Sequence, residues 1–324
     1  MARKSARKSV RKPSTLVNLP VSVKMTKEPV PQAEFHRLIA DLRRGYYSDA
    51  DRARYGDIAD WDTGRIQCMS HAFWNWSTFN ADLSRWNTSN VLNMEHMFEG
   101  AAAFDQDLSG WDTSKVRSMQ AMFRGASTFN QPVGTWNTAC VRRMDSMFEG
   151  AAAFDQDIGA WKTSNVTTMM RMFSGASAFN HPLEGWDVSR VTDMEEMFCG
   201  AEAFDQPLGK WNVCRVTNMC CMFSNAHSFN QPLEAWDVGA VTSMFRMFFR
   251  AAAFDQPLGA WDVRNVKSMG YMFAGTGAFD QDLSGWTLPE NAKGMFARAA
   301  RFSRVESMTL PAETLRAAAA YVFE

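Results

Sequence analysis

The sequence predicts an α/β repeat solenoid of about ten coils, and three observations predict it. A tryptophan recurs every 25 residues, without a break, from Trp61 to Trp286. Apolar residues recur at fixed distances after these tryptophans, and polar turn residues recur between the apolar ones. A constant period of 20 to 29 residues is the signature of a stacked repeat protein, in which each unit buries its apolar face only against its neighbours.

The apolar residues define two arms in each 25-residue unit. We count each unit from its tryptophan, which is position 0. Val or Ile at position 5, Met at positions 8 and 11, Phe at position 12 and Ala at position 15 step by three or four, which favours a helical or 3-10 arm. Glycine at position 14 is a natural end for that arm. Positions 18 to 25, near Leu83 to Trp86 in the first unit, are predicted to hold a short strand.

The polar positions predict turns and a ladder between units. Position 1 is usually Asp or Asn, and Thr or Ser often follows it, which is typical of side chains that hydrogen-bond the backbone of a turn. Position 19 is always Asp or Asn, and position 20 is usually Gln. We expect these side chains to bond from unit to unit, because buried backbone groups at the corners need partners. Paired carboxylates such as Asp105 and Asp107 are predicted to hydrogen-bond the backbone of a turn. Calcium binding is the alternative.

Four segments follow from these patterns. Residues 1–30 are predicted to be a basic disordered tail, and residues 31–60 a helical cap that contains an amphipathic helix from Ala33 to Arg44. Residues 61–302 form the repeat solenoid. Its tenth unit departs from the register, since Met295 arrives two residues early. Residues 303–324 are predicted to be a second helical cap, because a terminal unit must cover its inner face.

Charge is distributed unevenly along the chain. The net charge is −1, yet 26 basic and 34 acidic residues lie in 29–324, which leaves that body at −8. Three roles stay open for the basic tail: binding nucleic acid or an acidic protein surface, organelle targeting, or no partner at all. The candidate anchoring residues of the tail are Arg3, Lys4, Arg7, Lys8, Arg11 and Lys12.

Several function classes are disfavoured by the composition. No run of 18 apolar residues is present, so no membrane span is expected, and no apolar core follows the N-terminal charges, so no secretory signal is expected. The cysteines occur at scattered positions, which favours free thiols in a reducing compartment. We therefore expect an intracellular protein or one held within a large particle.

The repeat resembles a known family. Its motif begins with Trp86, Asn87 and Thr88, continues through Val91, Met94, Met97 and Phe98, and ends with Phe104, Asp105, Gln106 and Leu108. It is similar to the repeat of the BspA-like leucine-rich-repeat surface proteins, including the mycoplasma-type lipoproteins. The resemblance covers roughly residues 55–302. It implies a leucine-rich-repeat-like, right-handed stack of coils with a binding or adhesive role, and it implies no catalytic residues.

Candidate sites were sought in positions that vary. No nucleophile, acid–base or phosphate-loop pattern occurs at usable spacing, so we expect neither an enzyme nor a cofactor. His71 and His96 share position 10 of adjacent units and should lie side by side, with a metal site as the less favoured interpretation. Positions 9, 10 and 13 are predicted to contact a partner, unless a terminal helix covers them. The candidate residues are Met170, Arg171, Phe245, Arg246, Phe249 and Tyr271.

The sequence thus predicts a non-enzymatic repeat scaffold that binds another macromolecule, most readily a protein. The alternative is a structural subunit of a large assembly, such as a capsid or nucleoprotein particle, anchored by its basic tail.

Overall fold

The structure is a computed structural model that describes residues 27–301. Its regular secondary structure lies before the first repeat: helix α1 is Gln32–Arg44, helix α2 is Asp49–Tyr55, and a 3-10 turn is Ile58–Asp60. Within the described part, none of the helices is long and apolar enough to cross a bilayer. From Trp61 to Arg301 the described backbone consists of turns and isolated parallel bridges, with no helix and no strand.

The predicted α/β solenoid, with a strand and a helical arm in every unit, is therefore wrong. The helical arm fails because two residues in it are left-handed. In the second unit these are His96, with φ 55°, and Gly100, with φ 70°. Positions 10 and 14 are left-handed in all nine units from Trp61 to Trp261. A right-handed helix cannot continue through such residues, so the steps of three and four belong to consecutive turns.

The backbone amides of this arm alternate between two kinds of partner. Met94, His96 and Phe98 donate their N–H to carbonyls 24 residues later, in the next unit, at 2.8–3.1 Å. The intervening residues Met97 and Glu99 donate to carbonyls three residues back, at 3.3 Å. Half of the bonds are thus local and half join neighbouring units, which satisfies the buried backbone without forming a helix or a sheet.

The predicted strand arm is also made of turns. In the first unit the Trp86 N–H donates to the Leu83 carbonyl at 3.0 Å, and the Ser84 N–H donates to Oδ1 of Asp82 at 2.8 Å. These local bonds use amides that a strand would offer to its neighbours. The parallel bridges occur instead at position 7, where Asn93 pairs with both Cys68 and Ser118.

The apolar positions form one continuous core along the stack. The Trp, Val, Met, Phe and Leu residues of the repeat motif are buried in every unit from Trp61 to Trp261. Neighbouring tryptophan rings stack in eight pairs between Trp61 and Trp286, with centroids 6.0–6.5 Å apart and planes within 9°. The phenylalanines at position 12 stack in the same way, at 5.3–5.8 Å. Like residues therefore lie beside like, as the period predicts.

The indole N–H of each tryptophan fixes the register between units. Nε1 of Trp136 donates to the Leu108 carbonyl at 3.0 Å, and that carbonyl also accepts the Trp111 N–H at 3.1 Å. The same pair of bonds recurs from Trp111 to Trp286. A buried indole N–H without an acceptor is costly, so a slip of one residue is disfavoured.

The predicted turns and ladder are confirmed. Oδ1 of Asp112 accepts the Ser114 N–H at 2.9 Å, which is the expected turn at position 1. At position 19, Oδ1 of Asn130 accepts the Asp155 N–H at 2.9 Å and the side-chain amide of Gln156 at 2.8 Å. The second carboxylate of each predicted pair also closes a turn, as when Asp107 accepts the Ser109 N–H.

Helix α1 covers the open end of the first unit. Phe35 is buried, and its ring lies 5.7 Å from that of Trp86. The polar side chains of helix α1 take the place of the backbone amides that a preceding unit would supply. Gln32 donates to the Cys68 carbonyl, His36 lies 2.8 Å from the Ser70 carbonyl, and Arg43 donates to the Trp74 carbonyl at 2.9 Å.

The ends of the stack differ in part from the predicted boundaries. Val30, assigned to the tail, is buried, and its N–H donates to the Asp62 carbonyl at 2.9 Å. At the other end Ser268 bridges to Asn291, 23 residues later, which confirms the shortened tenth unit. The predicted cap over 303–324 and the basic residues from Arg3 to Lys12 lie outside the described residues.

The ladder predicts a matched pair of substitutions. Asn130→Ala removes the acceptor and leaves the Asp155 N–H unsatisfied, so we expect a loss of about 1–3 kcal/mol in the free energy of unfolding. Asn130→Asp keeps the acceptor, as in the units that carry Asp naturally, and should change stability by no more than about 0.5 kcal/mol. Urea unfolding measures both, and equal losses would contradict the ladder.

Candidate functional site

The positions that vary between units lie together on one strip of the surface. We call positions 9, 10, 13 and 14 the variable strip. They include the two left-handed residues, at positions 10 and 14, while positions 8, 11 and 12 between and beside them are buried in all nine units and position 15 in all but the first. The left-handed turns therefore leave most residues at these four positions exposed or half-buried, and the buried exceptions are Ala121, Asp145, Ser224, Gly270 and Ala274.

An aromatic–arginine patch occupies this strip in the eighth and ninth units. It consists of Phe245, Arg246, Phe249, Arg250 and Tyr271. The guanidinium carbon of Arg246 lies 5.0 Å, 5.2 Å and 5.5 Å from the ring centroids of Phe245, Phe249 and Tyr271. Arg250 lies 5.0 Å from the Phe249 ring. At these distances the ring faces attract the cations, so the patch is an ordered surface.

Glycines of the following unit form the floor of the patch. A Cβ on Gly270 would lie 3.2 Å from the Phe245 ring, and one on Gly275 would lie 3.1 Å from Cγ of Arg250. A Cβ on Gly294 would lie 2.7 Å from the Tyr271 ring. Since such contacts are too close for a side chain, the missing Cβ atoms leave room for these three side chains against the next unit.

A groove of about 240 Å³ opens beside the rings, between the eighth and tenth units. It is lined by Phe249, Arg250, Tyr271, Ala274, Gly275, Ala297 and Arg298. Its floor is apolar and its rim carries two guanidinium groups. It thus has room for an apolar side chain next to a carboxylate.

The charges of the patch are not neutralised by neighbouring acids. Over the described residues, no carboxylate lies within ion-pair distance of Arg246 or Arg250, and both side chains are exposed. By contrast, Arg171 on the same strip is paired, with Nε 2.9 Å from Glu196. The patch therefore offers cations to a ligand, whereas the middle of the strip is internally balanced.

The structure brings together four of the six predicted partner residues: Phe245, Arg246, Phe249 and Tyr271. Met170 and Arg171 lie three units away, and the bond to Glu196 raises the pKa of Arg171. Their role in partner binding stays a prediction.

Arg250 was missed, although the sequence carries a signal for it. It replaces the usual glycine at position 14 and adopts φ 56°, a strained conformation for arginine.

Two further clusters lie on the strip. His71 and His96 stack with ring centroids 4.6 Å apart, which confirms their predicted adjacency. The two adjacent thiols of Cys220 and Cys221 lie 3.6 Å apart. Among residues 27–301, no group of three His, Cys, Asp or Glu side chains is arranged to hold a metal ion.

The cysteines should differ in reactivity. Cys140 and Cys214 are exposed, whereas Cys199 is partly covered and burial raises the pKa of its thiol. A raised pKa lowers the thiolate fraction, so iodoacetamide at mildly alkaline pH should modify Cys199 more slowly than the two exposed residues. Peptide mapping by mass spectrometry measures the order, and urea-unfolded chain is the control in which the difference disappears. Equal rates in the folded chain would contradict the burial of Cys199.

Comparison with known proteins agrees with the tandem repeat. The model of one family matches the chain three times, over residues 41–151, 132–220 and 204–308. No curated protein sequence matches the chain. Since the three matches together span most of the chain, the protein belongs to the family described as Mycoplasma protein of unknown function, DUF285.

Proposed function

We propose that this protein is a non-enzymatic repeat scaffold that binds a partner protein through the aromatic–arginine patch. One observation carries the proposal: two exposed guanidinium groups, without a carboxylate partner among the described residues, lie against the rings of Phe245, Phe249 and Tyr271. Aromatic residues and arginine dominate the binding energy of protein interfaces, because they combine large apolar area with directed hydrogen bonds.

The chemistry of the patch favours an acidic segment of the partner. Arginine donates two parallel hydrogen bonds to a carboxylate, and an apolar side chain next to that carboxylate would enter the adjoining groove. The rings are already held by the glycine floor. Little ordering entropy is then lost on binding, which favours affinity. The proposed relationship to BspA-like repeat proteins, which rests on the repeat motif, supports a binding role of this kind.

The repeat itself supplies variants that test the patch without disturbing the fold. Alanine occupies position 10 in Ala121 and position 13 in Ala274, so Arg246→Ala and Phe249→Ala place residues there that other units already carry. Ser146→Ala and Ser174→Ala make the matched changes at positions 10 and 13 of units outside the patch. All four changes leave the buried positions intact.

Selection of a random peptide library on the full chain tests the proposed function. We expect the enriched peptides to carry Asp or Glu beside an apolar residue. Fluorescence anisotropy should show a loss of roughly thirtyfold for Phe249→Ala or Arg246→Ala, the size of an interface hot spot, and little change for the serine controls. Enrichment of basic peptides, or equal binding to all four variants, would exclude the patch as the site.

A further inference from the structure

Two other lines of charge run the length of the stack, away from the aromatic–arginine patch. We call positions 3, 4 and 6 the basic stripe. In the nine units from Trp61 to Trp261 these positions hold eight Lys or Arg residues and no Asp or Glu. The eight are Arg65, Lys115, Arg117, Arg142, Arg190, Arg215, Arg264 and Lys267, and all are exposed.

Most of the basic stripe is unpaired within the chain. The Arg264 guanidinium bonds to Asp262 at position 1, whose carboxylate also accepts the backbone N–H of Arg264. For the other seven residues, no carboxylate of the described part lies within ion-pair distance. Lys115 and Arg190 contact only amide oxygens, those of Asn90 and Asn165. A groove of about 320 Å³ lies between Arg117 and Arg142.

The opposite charge is collected at positions 19, 21 and 23, which we call the acidic stripe. In the same nine units it holds eleven Asp or Glu residues and no Lys or Arg. The eleven are Asp82, Asp105, Asp107, Asp155, Asp157, Glu184, Asp205, Glu234, Asp255, Asp280 and Asp282. Several of these carboxylates also serve the ladder and the turns, so they are held in fixed positions.

Both stripes advance by one step per unit. At position 6 the Arg142 N–H donates to the Arg117 carbonyl at 2.9 Å, and the Thr192 N–H donates to Thr167 at 3.1 Å. At position 19 each backbone N–H donates to the preceding Asn or Asp side chain at 2.9–3.0 Å. Both stripes therefore repeat once per 25-residue unit along the stack.

From this shared repeat and opposite charge we infer that the partner of the basic stripe is the acidic stripe of a second copy of this chain. Two parallel copies aligned unit by unit then place opposite charges opposite one another in five of the nine units, those that begin at Trp61, Trp136, Trp186, Trp211 and Trp261. Because the two stripes are different surfaces, the contact is heterologous and each copy keeps one stripe free. Such a contact builds an open lateral array instead of a closed dimer.

The chemistry of the basic stripe favours this occupant over single-stranded nucleic acid. Positions 3, 4 and 6 carry no aromatic residue in the nine units. Proteins that bind single strands combine a basic groove with aromatic rings on which bases stack. Individual exposed ion pairs are weak, so the association should depend on many of them and on low salt.

The repeat again supplies mild substitutions. Asn and Thr occupy positions 4 and 6 in other units, so a basic-stripe variant is Lys115→Asn, Arg117→Thr, Arg142→Thr and Arg190→Asn. An acidic-stripe variant is Asp105→Asn, Asp107→Asn, Asp155→Asn and Asp157→Asn, which keeps the side-chain acceptors of the ladder and turns. A control with the same net charge as the acidic-stripe variant removes four acids from the variable strip: Glu99→Gln, Glu149→Gln, Glu195→Gln and Glu196→Gln.

Sedimentation velocity of the full chain at about 0.01 M and about 0.15 M salt tests the inference, since the Debye length falls from about 30 Å to about 8 Å between them. At low salt we expect association that rises with concentration without stopping at a dimer. Each stripe variant alone should associate roughly tenfold more weakly or not at all, while the control associates like the natural chain. A mixture of the two stripe variants should form a 1:1 complex that does not extend, because each contributes its one intact stripe.

Other results would overturn the inference. A natural chain that stays monomeric at low salt would overturn the inference. The same holds if that monomeric chain binds added polyglutamate or duplex DNA, because the basic stripe would then have a different partner. A control variant that loses association as fully as the acidic-stripe variant would show that net charge alone is responsible. Circular dichroism and the unfolding midpoint establish that each variant is folded before it is compared.

Discussion

The shared carbonyl at position 22 is the constraint on which the rest of the structure depends. The Leu108 carbonyl accepts the backbone N–H of Trp111 and the indole N–H of Trp136, at 3.1 Å and 3.0 Å. One bond closes the turn inside a unit, and the other fixes the following unit. Because both donors are buried, each needs this acceptor, and the 25-residue spacing cannot change without losing one of them.

The same constraint separates the surface from the core. In the turn arm, alternate amides bond within the unit and to the next unit, and this alternation requires left-handed residues at positions 10 and 14. The four positions around those turns carry ion pairs in the middle of the stack, thiols in the seventh unit and the aromatic–arginine patch beyond them. A rigid frame with one variable strip is well suited to recognition, since the binding groups are held in place before the ligand arrives.

Much of the molecule could be predicted from periodicity, because stacked units repeat their contacts. The apolar core, the ladder at position 19, the stacked His71 and His96 and the cap helix all follow from spacing and residue type. The arms could not be predicted in this way. Steps of three and four residues arise both from a helix and from consecutive turns, and left-handed residues such as Arg171 give no signal of their conformation in side-chain type. Arg250 was missed for a related reason, since its exposure results from the turn and not from an apolar pattern.

The central claim is that each unit is stable only through bonds to its neighbours, in a register of one whole unit. Denaturant unfolding of a chain that lacks residues 136–160, one complete unit, tests it most directly. Every ladder is restored in register by this deletion, so the account predicts a cooperative transition with a slightly smaller dependence on denaturant, and an unchanged near-ultraviolet signal per tryptophan. A chain that lacks residues 136–147, about half a unit, should lose the cooperative transition. If the whole-unit deletion unfolds as fully as the half-unit deletion, the units are not interchangeable and the account is contradicted.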